Sequence, residues 1–309
     1  MQKKYLNFIN QKLQNKIKKL NNFLIYGQNI NTGTFISGLT KNFQTKKNTF
    51  LINTPNSESS LIGMGFGIMM KNKSAIYFGK QLDFLLLGID HFVNTFNQIK
   101  VSKPKLGCFT IFIYVCDQGY QGPQSSFNSF SDLSSMCGIN TYQLNTLFDV
   151  QNIIKKKLDA KGFKIIGISS KLCGRNILEL KPIEYSKNLK TIKYLNGTFL
   201  TIVAFNFSLN QGNKVSNHLK KLNKSSDLFH INYSCDNNYS EIIKSVKKTK
   251  KILIIDDSKS VNLEAYKLLN KLKYKNIQFK SYVEKRSNIS WEVQGDLFKI
   301  DVVKVLNKF

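Results

Sequence analysis

The feature that most constrains this chain is the alternation of short apolar runs with segments of helical periodicity. The run Phe109–Val115 is apolar along nearly its whole length, which is typical of a strand covered on both faces in a parallel sheet. Shorter runs recur at 23–27, 75–78, 164–167, 199–204 and 251–256. Helices are predicted between them at 1–21, 83–99, 148–160, 213–223, 239–249 and 260–271. This alternation predicts an α/β fold with doubly wound, largely parallel sheets.

A change in composition divides the chain into two parts. Between 175 and 198, lysine and asparagine are dense and apolar runs are short. We therefore expect a linker at 176–198 that separates a first domain, 1–175, from a second domain, 199–309. Both domains would fall within the usual size range.

The charge is strongly basic, with 46 Lys and Arg against 19 Asp and Glu and a net charge of +27. Such a balance suggests nucleic-acid binding, because basic side chains neutralise phosphates. However, Arg175 and Arg286 are the only arginines, and base readout and two-point phosphate contacts favour the planar guanidinium group. The lysines are also scattered rather than gathered in an arm. The composition therefore favours a lysine-rich surface over a nucleic-acid-binding protein.

Cysteine spacing and hydropathy indicate the compartment. The five cysteines are widely spaced without a Cys-x-x-Cys pair, which argues against a disulfide scaffold or a structural zinc site. No apolar run approaches the roughly 18 residues that span a bilayer. The amino terminus is lysine-rich and amphipathic rather than an apolar signal core. We therefore expect a cytoplasmic protein that does not interact with membranes.

Residues 53–67 contain the candidate catalytic residue of this chain. Glu58 lies in a turn-rich stretch just before a predicted helix of small residues that contains Gly63, Gly65 and Gly67. A carboxylate at a helix start is favoured by the helix dipole. Spacing alone therefore leaves open a purely structural role for Glu58, with Ser57 as the N-cap.

This segment resembles the pyrimidine-binding domain of thiamine-diphosphate enzymes, in the E1 beta subunits of 2-oxoacid dehydrogenases, such as pyruvate dehydrogenase, and in the C-terminal section of transketolases. Their Thr-Pro-x-Ser-Glu pattern, with two later glycines, is matched by Thr54, Pro55, Ser57, Glu58, Gly63 and Gly67. Further matches follow in order at 83–84, 89–94, 119–124, 246–257 and 301–306. The resemblance covers nearly the whole chain and implies a pyrimidine-binding domain followed by a transketolase C-terminal-like domain.

The resemblance implies that the chain binds thiamine diphosphate and that Glu58 is catalytic. In that family a Glu that bonds N1′ of the aminopyrimidine favours the imino tautomer, which removes the proton from C2 of the thiazolium ring. The aromatic residue that stacks on the aminopyrimidine matches Gln81 here, with Phe78 and Phe84 as possible replacements. The predicted cofactor-binding residues are therefore Glu58, Phe78, Gln81 and Phe84.

The family has a glycine-rich loop, which residues 119–124 resemble, and the proton-shuttling histidine that follows it in the family has no counterpart here. The matching residue is Ser125, whose hydroxyl is a poor general acid or base near neutral pH. We keep Ser125 as the second candidate catalytic residue. For His91, on the predicted helix after the cofactor segment, a structural or interface role is favoured over a catalytic one.

The family binds the diphosphate through Mg²⁺ on a separate domain with a Gly-Asp-Gly…Asn motif, which this chain lacks. The resemblance therefore implies an alpha-like partner that carries the diphosphate and the Mg²⁺, and a homodimer of this chain within an α2β2 assembly. We expect no metal ligand on this chain itself. The small-molecule substrate would be a 2-oxoacid, undergoing decarboxylation, oxidative decarboxylation or two-carbon transfer. The alternative is a catalytically degenerate structural or regulatory subunit, against which the retention of Glu58 argues.

Overall fold

The computed structural model describes residues 3–102, 105–117, 128–233, 237–258, 264–286 and 298–309. The chain divides into two compact units. The first comprises Met1–Cys116 with Met136–Glu179, and the second comprises Asp117–Ser135 with Leu180–Phe309. Ser125 and the rest of the glycine-rich loop lie outside the described residues.

The first unit is built on a parallel sheet. Along the chain as far as the last strand of this unit, the elements are α1 (Tyr5–Ile17), β1 (Phe23–Gly27), β2 (Phe50–Asn53), α2 (Glu58–Met70), β3 (Ser74–Gly79), α3 (Phe96–Ser102), β4 (Cys108–Val115), α4 (Phe130–Cys137), β5 (Asn140–Gln143), α5 (Leu147–Lys157) and β6 (Gly162–Ser169). Most of α4 belongs to the second unit. Six described strands pair in the order β2-β1-β3-β4-β6-β5, all parallel. Because the carboxyl ends of parallel strands share one edge, the loops after β1, β2 and β3 lie on the same side.

The core of this unit surrounds β4, all of whose residues are buried. This confirms that the apolar run near 109–115 is a strand covered on both faces. Aromatic side chains join α2 to the sheet: the Phe66 ring lies 5.1 Å from the Phe109 ring and 4.8 Å from the Phe163 ring, measured between centroids. A Cβ at Gly65, the residue before Phe66, would lie 2.2 Å from the Phe109 ring, so glycine is needed at this close approach.

The single helix predicted at 83–99 is wrong. The structure has a 3-10 segment at Leu82–Gly88, a π-helical turn at His91–Thr95 and then α3. Gly88 packs so closely on α2 that a Cβ there would lie 2.3 Å from the Ile62 side chain. Packing against α2 has overridden the local periodicity, which by itself indicated one continuous helix.

The second unit is built on a mixed sheet. Its further elements are β7 (Glu184–Tyr185), β8 (Thr191–Leu195), β9 (Leu200–Phe205), α6 (Leu209–Lys221), β10 (Ser226–Ile231), α7 (Ser240–Thr249), β11 (Lys251–Asp256), α8 (Glu264–Tyr274), β12 (Lys280–Lys285) and α9 (Val302–Leu306). The described strands pair in the order β12-β11-β9-β10-β8-β7. Strand β8 runs antiparallel to both β7 and β10, and the other pairs are parallel.

The two sheets confirm the predicted α/β class with largely parallel sheets. The segment 176–198, expected to be a linker, contains β7 and β8. The identities of the two domains, and the boundaries predicted for them, stay predictions. Over the ranges that the structure describes, no helix is long and apolar enough to cross a bilayer.

Candidate active site

Glu58 is the first residue of α2 and follows a turn fixed by backbone and side-chain hydrogen bonds. At the end of β2, the Asn53 side chain accepts a bond of 2.8 Å from the Ile30 amide. The next residue, Thr54, donates its amide to the carbonyl of Gly27 at 3.1 Å. These bonds tie the start of the turn to the carboxyl end of β1, so that α2 begins at this edge of the sheet.

Ser57 occupies the predicted N-cap position, but its side chain does not cap the helix. Its hydroxyl instead donates to the Ser60 hydroxyl at 3.0 Å. The Glu58 side chain is half-buried, whereas Ser57, Ser59 and Ser60 are exposed. The carboxylate therefore stands between the protein interior and an open, polar surface.

Two tyrosines lie beside the start of α2. Tyr26 and Tyr77 stack with ring centroids 5.3 Å apart and planes inclined by 22°. Burial raises the pKa of Tyr77 well above its ordinary value, and the nearby Glu58 charge raises it further. Burial, and then Tyr77, raise the pKa of Tyr26. Both phenols are therefore neutral at physiological pH, and Glu58 stands next to an uncharged, buried aromatic pair.

The hydroxyl of Thr54 is the second notable polar group. Its Oγ1 atom is buried and has no hydrogen-bond partner among the residues that the structure describes. A buried hydroxyl without a partner costs about 1–3 kcal/mol, so this is a place where a polar group of a ligand would be stabilising.

The other predicted cofactor residues follow the neighbouring strand β3. Gln81 and Phe84 come just after its carboxyl end, at the sheet edge where α2 begins, and both are half-buried. Phe78 is fully buried, with its ring 5.6 Å from that of Phe43 and 5.5 Å from that of Phe112. Successive strand residues face opposite sides of a sheet, so Phe78 points away from the side occupied by Tyr77. All three assignments stay predictions, and Phe78 is the least accessible of the three.

His91 packs directly on α2. A Cβ at Gly63 would lie 2.9 Å from two atoms of the His91 ring, so the first glycine after the Thr-Pro-x-Ser-Glu pattern makes room for this histidine. His91 Nδ1 lies 3.3 Å from Thr95 Oγ1. These contacts agree with the structural role favoured for His91.

Sequence reasoning missed Tyr26 and Tyr77. Each stands in an apolar strand, and the sequence gives no reason to connect two residues so far apart. The signal appears only with strand pairing, because Tyr26 lies directly opposite Tyr77 in the β1–β3 register. Within the described ranges, no group of three or more His, Cys, Asp or Glu side chains is arranged to hold a metal ion.

Solved structures share the fold of this chain. One is described as a split gene transketolase in an inactive beta4 tetramer; it is 12% identical, with 97% of this chain and 91% of that chain covered and a TM-score of 0.69. The chain has the fold of a transketolase C-terminal section. A transketolase from Campylobacter jejuni subsp. jejuni is 10% identical over 92% of this chain, with a TM-score of 0.66.

This finding confirms the predicted resemblance at the level of the fold. The match with the Campylobacter enzyme covers 42% of that enzyme's chain, so the present chain corresponds to less than half of its length. No protein-family model matches the sequence, and no curated protein matches it significantly. The likeness to transketolases is therefore carried by the fold and by the short motifs around Glu58.

Proposed function

We propose that this chain is the beta-like subunit of a two-component thiamine-diphosphate enzyme that acts on a 2-oxoacid. Glu58 would activate the aminopyrimidine of the cofactor. The observation that carries the proposal is the position of Glu58 within a transketolase-like fold. Glu58 is the first residue of α2, at the edge of the first sheet where the parallel strands end. Its side chain is half-buried and lies beside the neutral tyrosine pair.

The residues around Glu58 fit an aminopyrimidine. Such a ring has an apolar face and polar edges, and the site offers the half-buried carboxylate of Glu58 and the buried hydroxyl of Thr54 above the buried tyrosine pair. Gln81 would supply an amide, and Phe84 an aromatic ring, from the segment after β3. A mostly apolar lining with a few placed polar groups is typical of cofactor sites.

When bound, thiamine diphosphate would supply a nucleophilic thiazolium carbon for attack on the carbonyl carbon of a 2-oxoacid. Glu58 would hold a proton at N1′ of the aminopyrimidine, acting as a general acid and base. Tyr26 and Tyr77 would stay neutral because their pKa values are raised, leaving Glu58 as the ionisable group of this trio. Phe78 would stabilise β3 by packing in the core against Phe43 and Phe112.

The surface of α2 supports the proposal of a partner subunit. Gly67 is exposed and a Cβ there would meet no atom within 4 Å, while Met64 and Met70 are 38% and 49% exposed. Small and apolar side chains on an open helix face permit close packing by another subunit. We propose that the partners are a second copy of this chain and an alpha-like subunit with the diphosphate and Mg²⁺ motif, in an α2β2 assembly.

The similar transketolase chain is described as inactive when it forms a beta4 tetramer. That description supports, for this chain, an activity that depends on the alpha-like partner. The reaction would be a decarboxylation, an oxidative decarboxylation such as that of pyruvate dehydrogenase, or a two-carbon transfer. The replacement of the family histidine by Ser125 favours simple decarboxylation or a non-standard substrate. We propose a cytoplasmic location, which the cysteine pattern supports.

The experiment is co-production of this chain with an alpha-like subunit that carries the Gly-Asp-Gly…Asn motif. Thiamine-diphosphate binding would be measured by calorimetry, and consumption of pyruvate and other 2-oxoacids by a coupled assay. Loss of a general acid and base lowers turnover by about 10²- to 10⁴-fold, which we expect for Glu58→Gln. The matched control is Glu241→Gln, which removes a carboxylate from the first turn of another helix, α7, and should leave turnover unchanged.

Equal turnover in the wild type and Glu58→Gln would overturn the role of Glu58. A stable complex of the two subunits that binds no thiamine diphosphate would instead support the alternative of a catalytically degenerate structural or regulatory subunit.

A further inference from the structure

A cysteine and a lysine are buried against each other between two neighbouring strands of the first unit. Cys108 begins β4, and Lys164 is the third residue of β6. Lys164 Nζ donates to Cys108 Sγ at a distance of 3.4 Å. The residue opposite Cys108 in the register is Gly162, which has no side chain, so the aliphatic stem of Lys164 can reach the sulfur.

Both groups are almost fully enclosed. Cys108 is 1% exposed and Lys164 is 4% exposed. The thiol also donates to the carbonyl of Leu158 at 3.5 Å, and Lys164 also donates to the carbonyl of Ala160. Lysine is rarely buried to this degree without a carboxylate partner, because removing an ammonium group from water is costly.

Burial acts directly on the protonation of Lys164. It lowers the pKa of the amine, and the nearby Lys157 lowers it further. Cys108 and Asp159 act in the opposite direction without cancelling the effect of burial. The uncharged amine, which has a lone pair and is a nucleophile, is therefore more populated than it is for a lysine in water. It lies in hydrogen-bond contact with a sulfur atom.

We propose that Cys108 and Lys164 are a redox-sensitive pair that forms a covalent sulfenamide in the presence of hydrogen peroxide. In the first step the thiol sulfur attacks one peroxide oxygen, the O–O bond breaks, and Cys108 sulfenic acid and one water are formed. In the second step the Lys164 nitrogen attacks the sulfur, an S–N bond forms and the S–O bond breaks. A second water leaves with one proton from the amine. Sulfur is oxidised, peroxide is reduced, and a thiol later reverses the linkage by cleaving the S–N bond.

The bond would join β4 to β6, two adjacent strands of the sheet that positions α2. It needs no large rearrangement, because nitrogen and sulfur are already in hydrogen-bond contact. Access of peroxide to the sulfur requires local opening of the buried pair. The reaction is therefore expected to be slower than oxidation of Cys173, which is half-buried.

The test is peptide mapping by mass spectrometry of the full chain after incubation with hydrogen peroxide, without a reducing agent. The expected product is one cross-linked peptide pair that contains Cys108 and Lys164, lighter than the two separate peptides by the mass of two hydrogen atoms. Dithiothreitol should restore the separate peptides. Lys164→Arg and Cys108→Ser should abolish the cross-linked pair.

Cys137 is the matched control within the same chain. It is buried, burial raises its pKa to about 11, and the nearby Lys100 donates to its backbone carbonyl rather than to its thiol. We expect no cross-link at Cys137. The proposal is overturned if Cys108 stays a thiol while Cys173 is fully oxidised, or if Cys108 is recovered as a sulfinic or sulfonic acid with Lys164 unmodified.

Discussion

Tyr26 and Tyr77 lie directly opposite each other on two adjacent parallel strands, and their rings stack with centroids 5.3 Å apart. The Tyr26 hydroxyl also donates a hydrogen bond of 2.7 Å to the carbonyl of Leu61, in the first turn of α2. The tyrosine pair therefore connects the first sheet to the helix that begins with Glu58. A change in this pair is expected to affect both the stability of the first unit and the position of Glu58.

Tyr26→Phe should lower the free energy of unfolding by about 1 kcal/mol, because it leaves the buried Leu61 carbonyl without the donated bond. Urea unfolding, followed by circular dichroism, measures the change. Tyr77→Phe is the matched control, since it keeps the stacked ring and leaves the bond from Tyr26 to Leu61 in place. Equal losses in the two variants would mean that the Tyr26 hydroxyl has no special role.

Two glycines in α2 should respond in opposite directions to substitution by alanine. A Cβ at Gly65 would lie 2.2 Å from the Phe109 ring, so Gly65→Ala should destabilise the chain by about 1–3 kcal/mol through overpacking. A Cβ at Gly67 meets nothing within 4 Å, so Gly67→Ala should stabilise the helix by up to about 1 kcal/mol. Thermal unfolding of the separate chain distinguishes the two effects.

Gly67→Ala also tests the proposed interface on α2. If a partner subunit packs closely against this face, the variant should fold at least as well as the wild type but assemble less tightly. Analytical ultracentrifugation with and without the alpha-like subunit measures assembly. Unchanged affinity would mean that the interface does not include Gly67.

Asp227 is a buried carboxylate that pairs with two lysines in the second unit. Its side chain is fully buried, and its two oxygens lie 3.3 Å from Lys193 Nζ and 2.9 Å from Lys248 Nζ. Burial alone would raise the pKa of Asp227. Hydrogen bonds from Ser245, Lys248 and the Gly197 amide, together with the Lys193 charge, lower it below its ordinary value.

Because the folded-state pKa is depressed, these interactions stabilise the chain fully above the unfolded pKa, about 3.9. That stabilisation is lost as the pH falls through the lower, folded value. We expect Asp227→Asn to cost about 1–3 kcal/mol at neutral pH, because it removes the buried charge that faces Lys193 and Lys248 and weakens the hydrogen bonds made to that side chain. Denaturant unfolding between pH 2 and 7 should show a weaker acid dependence in the variant. If the variant and the wild type lost the same free energy of unfolding as the pH falls below about 4, this account would be contradicted.

Asp256 and Asp257 should have the opposite pH dependence. Burial raises the pKa of Asp256 to about 6, and burial followed by the Asp117 charge raises the pKa of Asp257 to about 7. The Tyr233 hydroxyl donates to both oxygens of Asp256, at 3.1 and 3.0 Å, and the Phe207 amide donates to Asp257 at 3.1 Å. Glu264 and Arg286 are the other charged groups that act on these carboxyls.

The folded state binds these protons more tightly than the unfolded state does. Each carboxyl therefore makes the folded state lose about 1.4 kcal/mol per pH unit, relative to the unfolded state, as the pH rises from about 4 to the raised pKa. Asp257→Asn should make the free energy of unfolding depend less on pH between about 4 and 7. It should not change the loss of stability at lower pH that we attribute to Asp227. A variant curve parallel to that of the wild type between pH 4 and 7 would show that Asp257 is ionised throughout.

Sequence reasoning located the parts of the fold that depend on local pattern. The apolar run near 109–115 is β4, and residues 251–256 are β11, because a strand buried on both faces needs apolar residues throughout. Shorter or more polar strands were not predicted from the sequence. Phe50–Asn53 and Asn140–Gln143 are strands because they pair with β1 and β6, not because of their own composition.

The candidate site divides in the same way. Glu58 and the glycines that follow it were recognisable because their chemistry and spacing are contained in one short segment. The tyrosine pair beside Glu58, the contact of His91 with Gly63, and the approach of Lys164 to Cys108 all join residues distant in sequence. They depend on strand order and register, which a linear pattern does not specify.

By itself, the sequence determined the α/β class, the strongest strands and the segment around Glu58, since these follow from hydropathy, backbone preference and residue chemistry within a few positions. Only the tertiary structure decided which side chains share a face. It buried Phe78 among core aromatics, broke the helix predicted at 83–99 and placed an amine against a thiol. Close packing is the physical reason, because neighbours from distant parts of the chain determine the space and the dielectric environment that each side chain experiences.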